Sequence, residues 1–234
     1  MKQNRAFEDV VSQIQDLVLQ GKLKAGDKLP GERQLREMFN VSRGTLREAF
    51  RALEQKGLIN IKTGVQGGAI VCPVDTKPMS ESLSLLLQHQ KIRLTELAEF
   101  REEVEGSIAA RAARNAKRQD LRQLNAILES IKRCLEADDF HWEEIVMKDN
   151  QFHLYLAQMA GNRIFESVLS TVYENIYRYF DRFLSKERRF MEQNYQDLCK
   201  IAEAIGARDS DSAQKLAQDH VKRFNRIMEQ GKEQ

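Results

Sequence analysis

The sequence predicts a mainly α protein in two parts: three short helices with a β-hairpin, then an all-α bundle. Three observations carry this. Apolar residues recur at helical spacing through most of the 234 residues. Between Leu58 and Cys72 alone, the pattern shifts to short β-branched runs separated by glycines. After Met79 there is no proline, and helical runs follow one another with short polar breaks. The expected division is 1–73, a linker at 74–80, and 81–234.

The stretch Val41–Phe50 organises the first part. Ser42 suits an N-cap, since its hydroxyl can accept a free amide of the first turn. Leu46, Phe50 and Leu53 fall at i, i+4 and i+7, which fixes one face to a core. Gly57 is placed to end the helix. Arg43, Gly44, Thr45 and Arg47 crowd the first turn, where the helix dipole disfavours cations. A polyanion at that end removes the conflict; a solvated basic helix start is the plainer alternative.

The elements before and after it favour the polyanion. Phe7, Val10, Val11, Ile14, Leu17 and Val18 predict a helix over 7–20, which Gly21 stops. Residues 1–5 are polar and are expected to be loose. Pro30 precedes a second helix with Leu35, Met38 and Phe39 as its apolar face, and Asn40 closes it. Two short helices joined by a few residues form a helix-turn-helix. Leu58–Lys62 and Ala69–Cys72 then form a hairpin with turn glycines at its tip. A hairpin in this position is a wing, expected to lie over a minor groove or a phosphate. Pro73–Ser80 has two of the three prolines and no periodicity, as a linker does.

Beyond the linker, helices are expected near 80–88, 93–117, 121–136, 140–160, 162–185, 187–207 and 210–231. Asp120, Asn162 and Ser210 are candidate caps. A bundle of this size can enclose a small ligand. His89 and His141 read as surface residues and Trp142 as core.

Charge and composition narrow the class. Lys and Arg number 37 against 35 Asp and Glu, so no global field attracts a polyanion. Residues 1–75 hold 12 basic and 9 acidic side chains, a mild excess that calls for a local patch. Cys72, Cys134 and Cys199 are far apart and form neither a C-x-x-C metal pattern nor a disulfide framework, which points to the cytoplasm. Apolar runs are too short to span a bilayer, so no membrane partner is expected. Lys2 and Arg5 are followed by no apolar leader segment, so no secretory signal is expected.

Residues 23–35, Leu-Lys-Ala-Gly-Asp-Lys-Leu-Pro-Gly-Glu-Arg-Gln-Leu, and Val41–Ile59 resemble the winged-helix domain of the GntR superfamily of bacterial transcription regulators. Leu97–Glu105, Asp149–Asn162 and Ala204–Ala213 with His220 resemble the all-helical effector domain, called FCD, of the FadR subfamily. The resemblance spans nearly the whole chain. It implies a homodimeric, ligand-responsive regulator that binds a palindromic double-stranded operator. The implied DNA contacts are Arg33, Ser42, Arg43, Gly44, Thr45 and Arg47, with Thr63 and Gly64 at the wing. Gly31 stands where the family often has a capping serine, and Thr63 where some members have histidine or arginine.

In the second part the resemblance implies a divalent-metal site, zinc or similar, facing an effector cavity. Asp149, His153 and His220 match three ligands. The fourth position falls on Leu198, which cannot ligate; Asn194, one turn earlier, is a weak substitute. Three protein ligands plus water or an effector carboxylate satisfy Zn²⁺. Without a metal, the three would hydrogen-bond one another or the effector. Asp149 and His153 are i, i+4 on one helix face, as are Arg101 and Glu105. The resemblance implies that Arg101 holds the effector's carboxylate, and an intrahelical ion pair is the alternative. Effector binding is therefore expected at Arg101, Asp149, His153 and His220, with Tyr173, Tyr177 and Arg178 as further candidates. The expected effector is a small carboxylate metabolite. A metal-responsive regulator is the nearest rival reading. A metal-dependent hydrolase is the remote one, since no H-E-x-x-H or similar helper accompanies the triad; no enzyme activity is expected.

Overall fold

The computed structural model describes residues 2–64, 67–73, 76–89, 91–183 and 186–230. The chain divides into two compact units, 1–79 and 80–234. Among the described residues there are ten helices and one two-stranded sheet.

The first unit holds α1 (Lys2–Leu19), α2 (Glu32–Phe39), α3 (Arg43–Gln55), β1 (Ile59–Lys62) and β2 (Gly68–Val71). Its core joins Val10 and Ile14 of α1, Leu35 of α2 and Leu46, Ala49 and Leu53 of α3 to Ile59 and Val71 of the hairpin. Helix α1 starts at Lys2, not near residue 7, so the polar opening continues the helix. Only Leu35 of α2's expected apolar face is buried; Phe39 is half-buried and Met38 is 64% exposed. Leu35 and Phe39 stack one turn apart, whereas Met38 falls to their flank, and a helix of 8 residues has contacts on one narrow face only.

Helix α3 begins and ends as its sequence dictates. Ser42 Oγ accepts the Thr45 amide at 3.1 Å. At the other end Gly57 has φ +70°, where an L side chain is strained, and the Leu58 amide donates to the Leu53 carbonyl at 2.9 Å. Ser42→Ala is expected to cost about 1 kcal/mol, read as a lower urea midpoint of the first unit. No shift in that midpoint would mean that the cap is not formed in solution.

The hairpin strands are antiparallel, from Ile59 opposite Val71 to Lys62 opposite Gly68. Lys28 bridges to Ile70 on β2's other edge, so the connector before α2 is tied to the sheet. A Cβ on Gly67 would lie 2.4 Å from the Lys62 carbonyl oxygen, so the turn closes too tightly for any other residue. The expected wing tip includes Val65 and Gln66, which lie outside the described residues.

The second unit is built from α4 (Lys77–Gln88) from Ser80 onward, α5 (Leu94–Asn115), α6 (Arg118–Glu136), α7 (Trp142–Met159), α8 (Arg163–Phe183), α9 (Arg188–Gly206) and α10 (Ser210–Gln230). Helix α5 packs mainly on α10 and also on α7 and α9; α6 packs on α7 and α9. The expected linker is shorter than its prolines suggested. Val74 and Asp75 lie outside the described residues, and α4 already begins at Lys77, with Pro78 in its first turn, where a missing amide costs nothing. Asn162 caps α8, its Oδ1 accepting the Ile164 amide at 3.0 Å. Asp120 and Ser210 are not N-caps. Asp120 works from the third helical position on the Lys117 amide, at 2.9 Å. Asp209, one residue before Ser210, caps α10 by accepting the Ser212 amide at 3.0 Å. Trp142 is buried, and His89 and His141 are exposed.

Candidate DNA-reading face and candidate metal centre

The N-terminal turn of α3 presents Arg43, Gly44 and Arg47 to solvent, and Arg33 on α2, Thr63 and Gly64 at the hairpin are exposed too. Ser42 is exposed but spends its hydroxyl on the cap. Thr45 differs: it is buried, and its Oγ1 lies 2.9 Å from Ser42 Oγ. Its side chain therefore completes the cap and offers nothing to a ligand in this state. Arg43 Nε donates to Glu32 Oε1 at 2.7 Å, a contact between α2 and α3 that no i, i+4 spacing announces.

The second unit buries a charged network among its helices. Arg101 and Glu105 of α5, Asp149 and His153 of α7, Tyr173 of α8, Asn194 and Asp197 of α9 and His220 of α10 are all buried. Arg101 Nε donates to Glu105 Oε1 at 2.7 Å, so the ion pair forms. Tyr173 accepts from Arg101 Nη2 and donates to Glu105 Oε2, both at 3.0 Å. Glu105 Oε2 also lies 2.7 Å from His153 Nδ1. Burial favours a neutral Glu105, yet Arg101 and His153 beside it outweigh that and hold its carboxyl below the usual range. Burial pushes the Tyr173 hydroxyl well up, so it stays a donor.

With Nδ1 of His153 on Glu105, its Nε2 faces His220 Nε2 at 3.2 Å and Asp149 Oδ2 at 3.8 Å. On the far side, His220 Nδ1 lies 3.6 Å from Asp197 Oδ2, and that carboxylate also meets Arg223. Asn194 Nδ2 donates to Asp149 Oδ1 at 2.7 Å. Asn194 thus orients an acid and presents its nitrogen as a donor, so it does not fill the fourth ligand place. Leu198 is fully buried in the core.

Asp149, His153 and His220 each offer one ligand atom, and these lie within 4.8 Å of one another. Two nitrogens on one tetrahedral zinc, at bond lengths of about 2.0–2.1 Å, stand about 3.3 Å apart. The 3.2 Å between the two Nε2 atoms fits that spacing. His153 also has a carboxylate, Glu105, on its Nδ1, the partner that turns its other nitrogen's lone pair toward an ion; the 3.6 Å from His220 Nδ1 to Asp197 is too long for a hydrogen bond. The residues present fit a divalent cation. Without one, burial drives the His220 ring down to about 4, helped by His153. Burial pulls His153 down too, but Glu105 more than reverses it, and its net shift is upward. The two Nε2 atoms lie within hydrogen-bond distance, with donor and acceptor set by the tautomers.

Sequence reasoning located Arg101, Asp149, His153 and His220 and named Tyr173. It missed Glu105 as a partner of His153, and it missed Asp197 and Glu32. The signal for Asp197 was its place beside Leu198, a charged residue next to a position expected to ligate. Tyr177 is half-buried, and the Arg178 side chain lies outside the described residues.

Comparison with known proteins agrees with both halves. Residues 6–68 match the family described as "Bacterial regulatory proteins, gntR family", and residues 96–223 match the FCD domain. Curated relatives include the HTH-type transcriptional repressor NanR of Cronobacter sakazakii, 27% identical over 94% of this chain and 84% of the relative. The protein of the same name from Citrobacter rodentium is also 27% identical over the same shares. Among solved structures, a GntR protein of Streptococcus agalactiae superposes with a TM-score of 0.74 at 23% identity, covering 92% of this chain and 96% of that one. The two NanR proteins are transcriptional repressors, and no described helix is long and apolar enough to cross a membrane. The chain belongs to the gntR family of bacterial regulatory proteins, as a DNA-binding transcription regulator whose second unit is an FCD domain.

Proposed function

We propose that the chain is a cytoplasmic, homodimeric regulator that reads a palindromic operator through α3 and answers to a small carboxylate effector. Residues 1–73 form the DNA-binding part and 81–234 the effector and dimerisation part. Arg43 and Arg47 read bases in the major groove, and Arg33 grips phosphate. Ser42, Gly44 and Thr45 shape the helix start, with Thr63 and Gly64 against the backbone at the wing. Asp149, His153 and His220 hold a divalent cation such as Zn²⁺. A bound cation supplies a Lewis-acid centre with positions left for oxygen ligands.

The observation that carries this reading is the buried convergence of Asp149, His153 and His220, with the Glu105 carboxylate on His153 Nδ1. Three ligands in place of four leave more of the coordination sphere to the effector. Arg101 adds a cation beside them. Its Nε and Nη2 are taken, but Nη1 has no hydrogen-bond partner among the described residues. Nη1 therefore remains available to donate to an effector oxygen. From there α8 leads outward: Asn175 Nδ2, two residues after Tyr173, donates to both the Ser80 carbonyl and Oγ at 3.0 Å. Ser80 lies in the first turns of α4, directly after the linker. An effector that favours one placement of Tyr173 biases α4 through this bond; a coupling of about 1–3 kcal/mol is typical.

The test is selection of duplexes from a random pool by the full-length protein, followed by binding measurements with and without Zn²⁺ and a panel of small carboxylates. An inverted repeat is expected in the selected pool. Arg43→Ala is expected to lose base preference at one position per half-site, while Arg33→Ala weakens all duplexes alike. A pool with no inverted repeat sinks the dimeric reading. An Arg43→Ala protein that keeps every preference sinks the base-reading role.

A further inference from the structure

The Arg43–Glu32 contact lies outside the capping and packing of either helix. Arg43 is the first residue of α3 and Glu32 the first of α2. Their side chains are 68% and 38% exposed, so both remain open to a ligand. Exposed pairs of this kind add little to stability. What the contact does is geometric. With Nε bound to Glu32 Oε1 at 2.7 Å, the guanidinium is held at its inner nitrogen, and that bond does not use the outer edge formed by its two Nη groups. Those two groups form the parallel-donor edge that matches guanine O6 and N7. A long side chain already held loses less rotamer freedom on binding.

We propose that Glu32 is a positioning residue that aims Arg43 at a guanine and thereby sets the base preference of α3. This rests on the reading that α3 enters the major groove. Glu32 acts on DNA in two opposite senses. Its charge repels every phosphate, which weakens binding to all sequences. Its oxygen fixes the Arg43 fork, which strengthens binding to one base. A residue with a merely structural role moves both quantities together, so the two can be told apart.

The experiment is pool selection with the full-length wild type, Glu32→Ala, Glu32→Gln and Arg43→Ala, then competition between the selected duplex and its guanine-substituted variants. Thermal unfolding of each protein runs alongside. Glu32→Ala is expected to lower discrimination at the Arg43 guanine about tenfold while binding random duplex as well as or better than wild type. Glu32→Gln keeps an oxygen that accepts from Nε, so it is expected to retain the discrimination and gain random binding. If Arg43→Ala loses the guanine preference while Glu32→Ala keeps it in full, the positioning role is overturned and the groove reading stands. If Arg43→Ala itself keeps the preference, the groove reading fails and the inference with it. Equal loss in both Glu32 variants with a lowered unfolding temperature overturns the inference in favour of a folding effect.

Discussion

Arg101→Met is expected to destabilise the helical unit by about 3–5 kcal/mol, the cost of leaving a buried charge without its partner. Glu105 would stay surrounded by Tyr173 and His153 at 2–3% exposure, with no guanidinium to offset its desolvation. His153 would supply the remaining positive charge and so be drawn further toward its protonated form. The double change Arg101→Met with Glu105→Leu removes both charges, and volume-matched apolar pairs at such sites are often neutral or stabilising. The double variant is therefore expected to recover most of the loss. Urea unfolding followed by helical circular dichroism, for the two singles and the double, closes the cycle. Additive losses in the double variant would mean that the two residues contribute separately, and the buried pair as drawn would be wrong. Below pH 6.5 the same measurement has a defined sign; above it the raised His153 ring adds stability that is lost as pH rises. Glu105 is held below the usual carboxylate range and His220 is pushed down from 6.5 to about 4. Each contributes stability that is present at neutral pH and lost on acidification. The His220 contribution goes as pH falls from 6.5 toward 4, and the Glu105 contribution goes below the ordinary carboxylate range.

How much of this the sequence held depends on whether a contact runs along one helix or between several. The i, i+4 pairs Arg101–Glu105 and Asp149–His153 could be read from spacing alone, and both form, at 2.7 Å and 3.8 Å. So could the cap at Ser42 and the stop at Gly57, because both are local backbone problems with few residue solutions. Glu105 against His153 joins α5 to α7, and Asp197 against His220 joins α9 to α10; no periodicity encodes either. The fate of Thr45 shows the same limit. A hydroxyl in a first turn fits a DNA contact and a cap extension equally well, and only the packed helix decides between them. Met38 was misjudged because an apolar pattern on a short helix gives a broad arc, while the core takes a narrow one. The linker was misjudged for the opposite reason, since Pro78 reads as a breaker when in the first turn of a helix it is tolerated.

The metal-free protein, stripped with a chelator and titrated with Zn²⁺, is expected to bind about one ion per chain, and His153→Ala to bind none. Elemental analysis of untagged protein checks the same point. His153→Ala removes a ligand yet leaves Glu105 paired with Arg101, so its helical circular dichroism should persist and separate loss of the site from loss of the fold. The pH dependence adds an independent mark. Glu105 raises the His153 ring above 6.5 against the opposing pull of burial, while His220 stays neutral. An arriving cation must therefore displace one proton from His153. Affinity should rise about tenfold for each pH unit below the raised His153 value and level off above it. The bend should lie above 6.5, because the folded ring holds its proton more tightly than a free one. Full zinc content in His153→Ala would show that the ion sits elsewhere. Binding that does not change between pH 6 and pH 8 would show that His153 carries no proton to release, and the raised value assigned to its ring would be wrong.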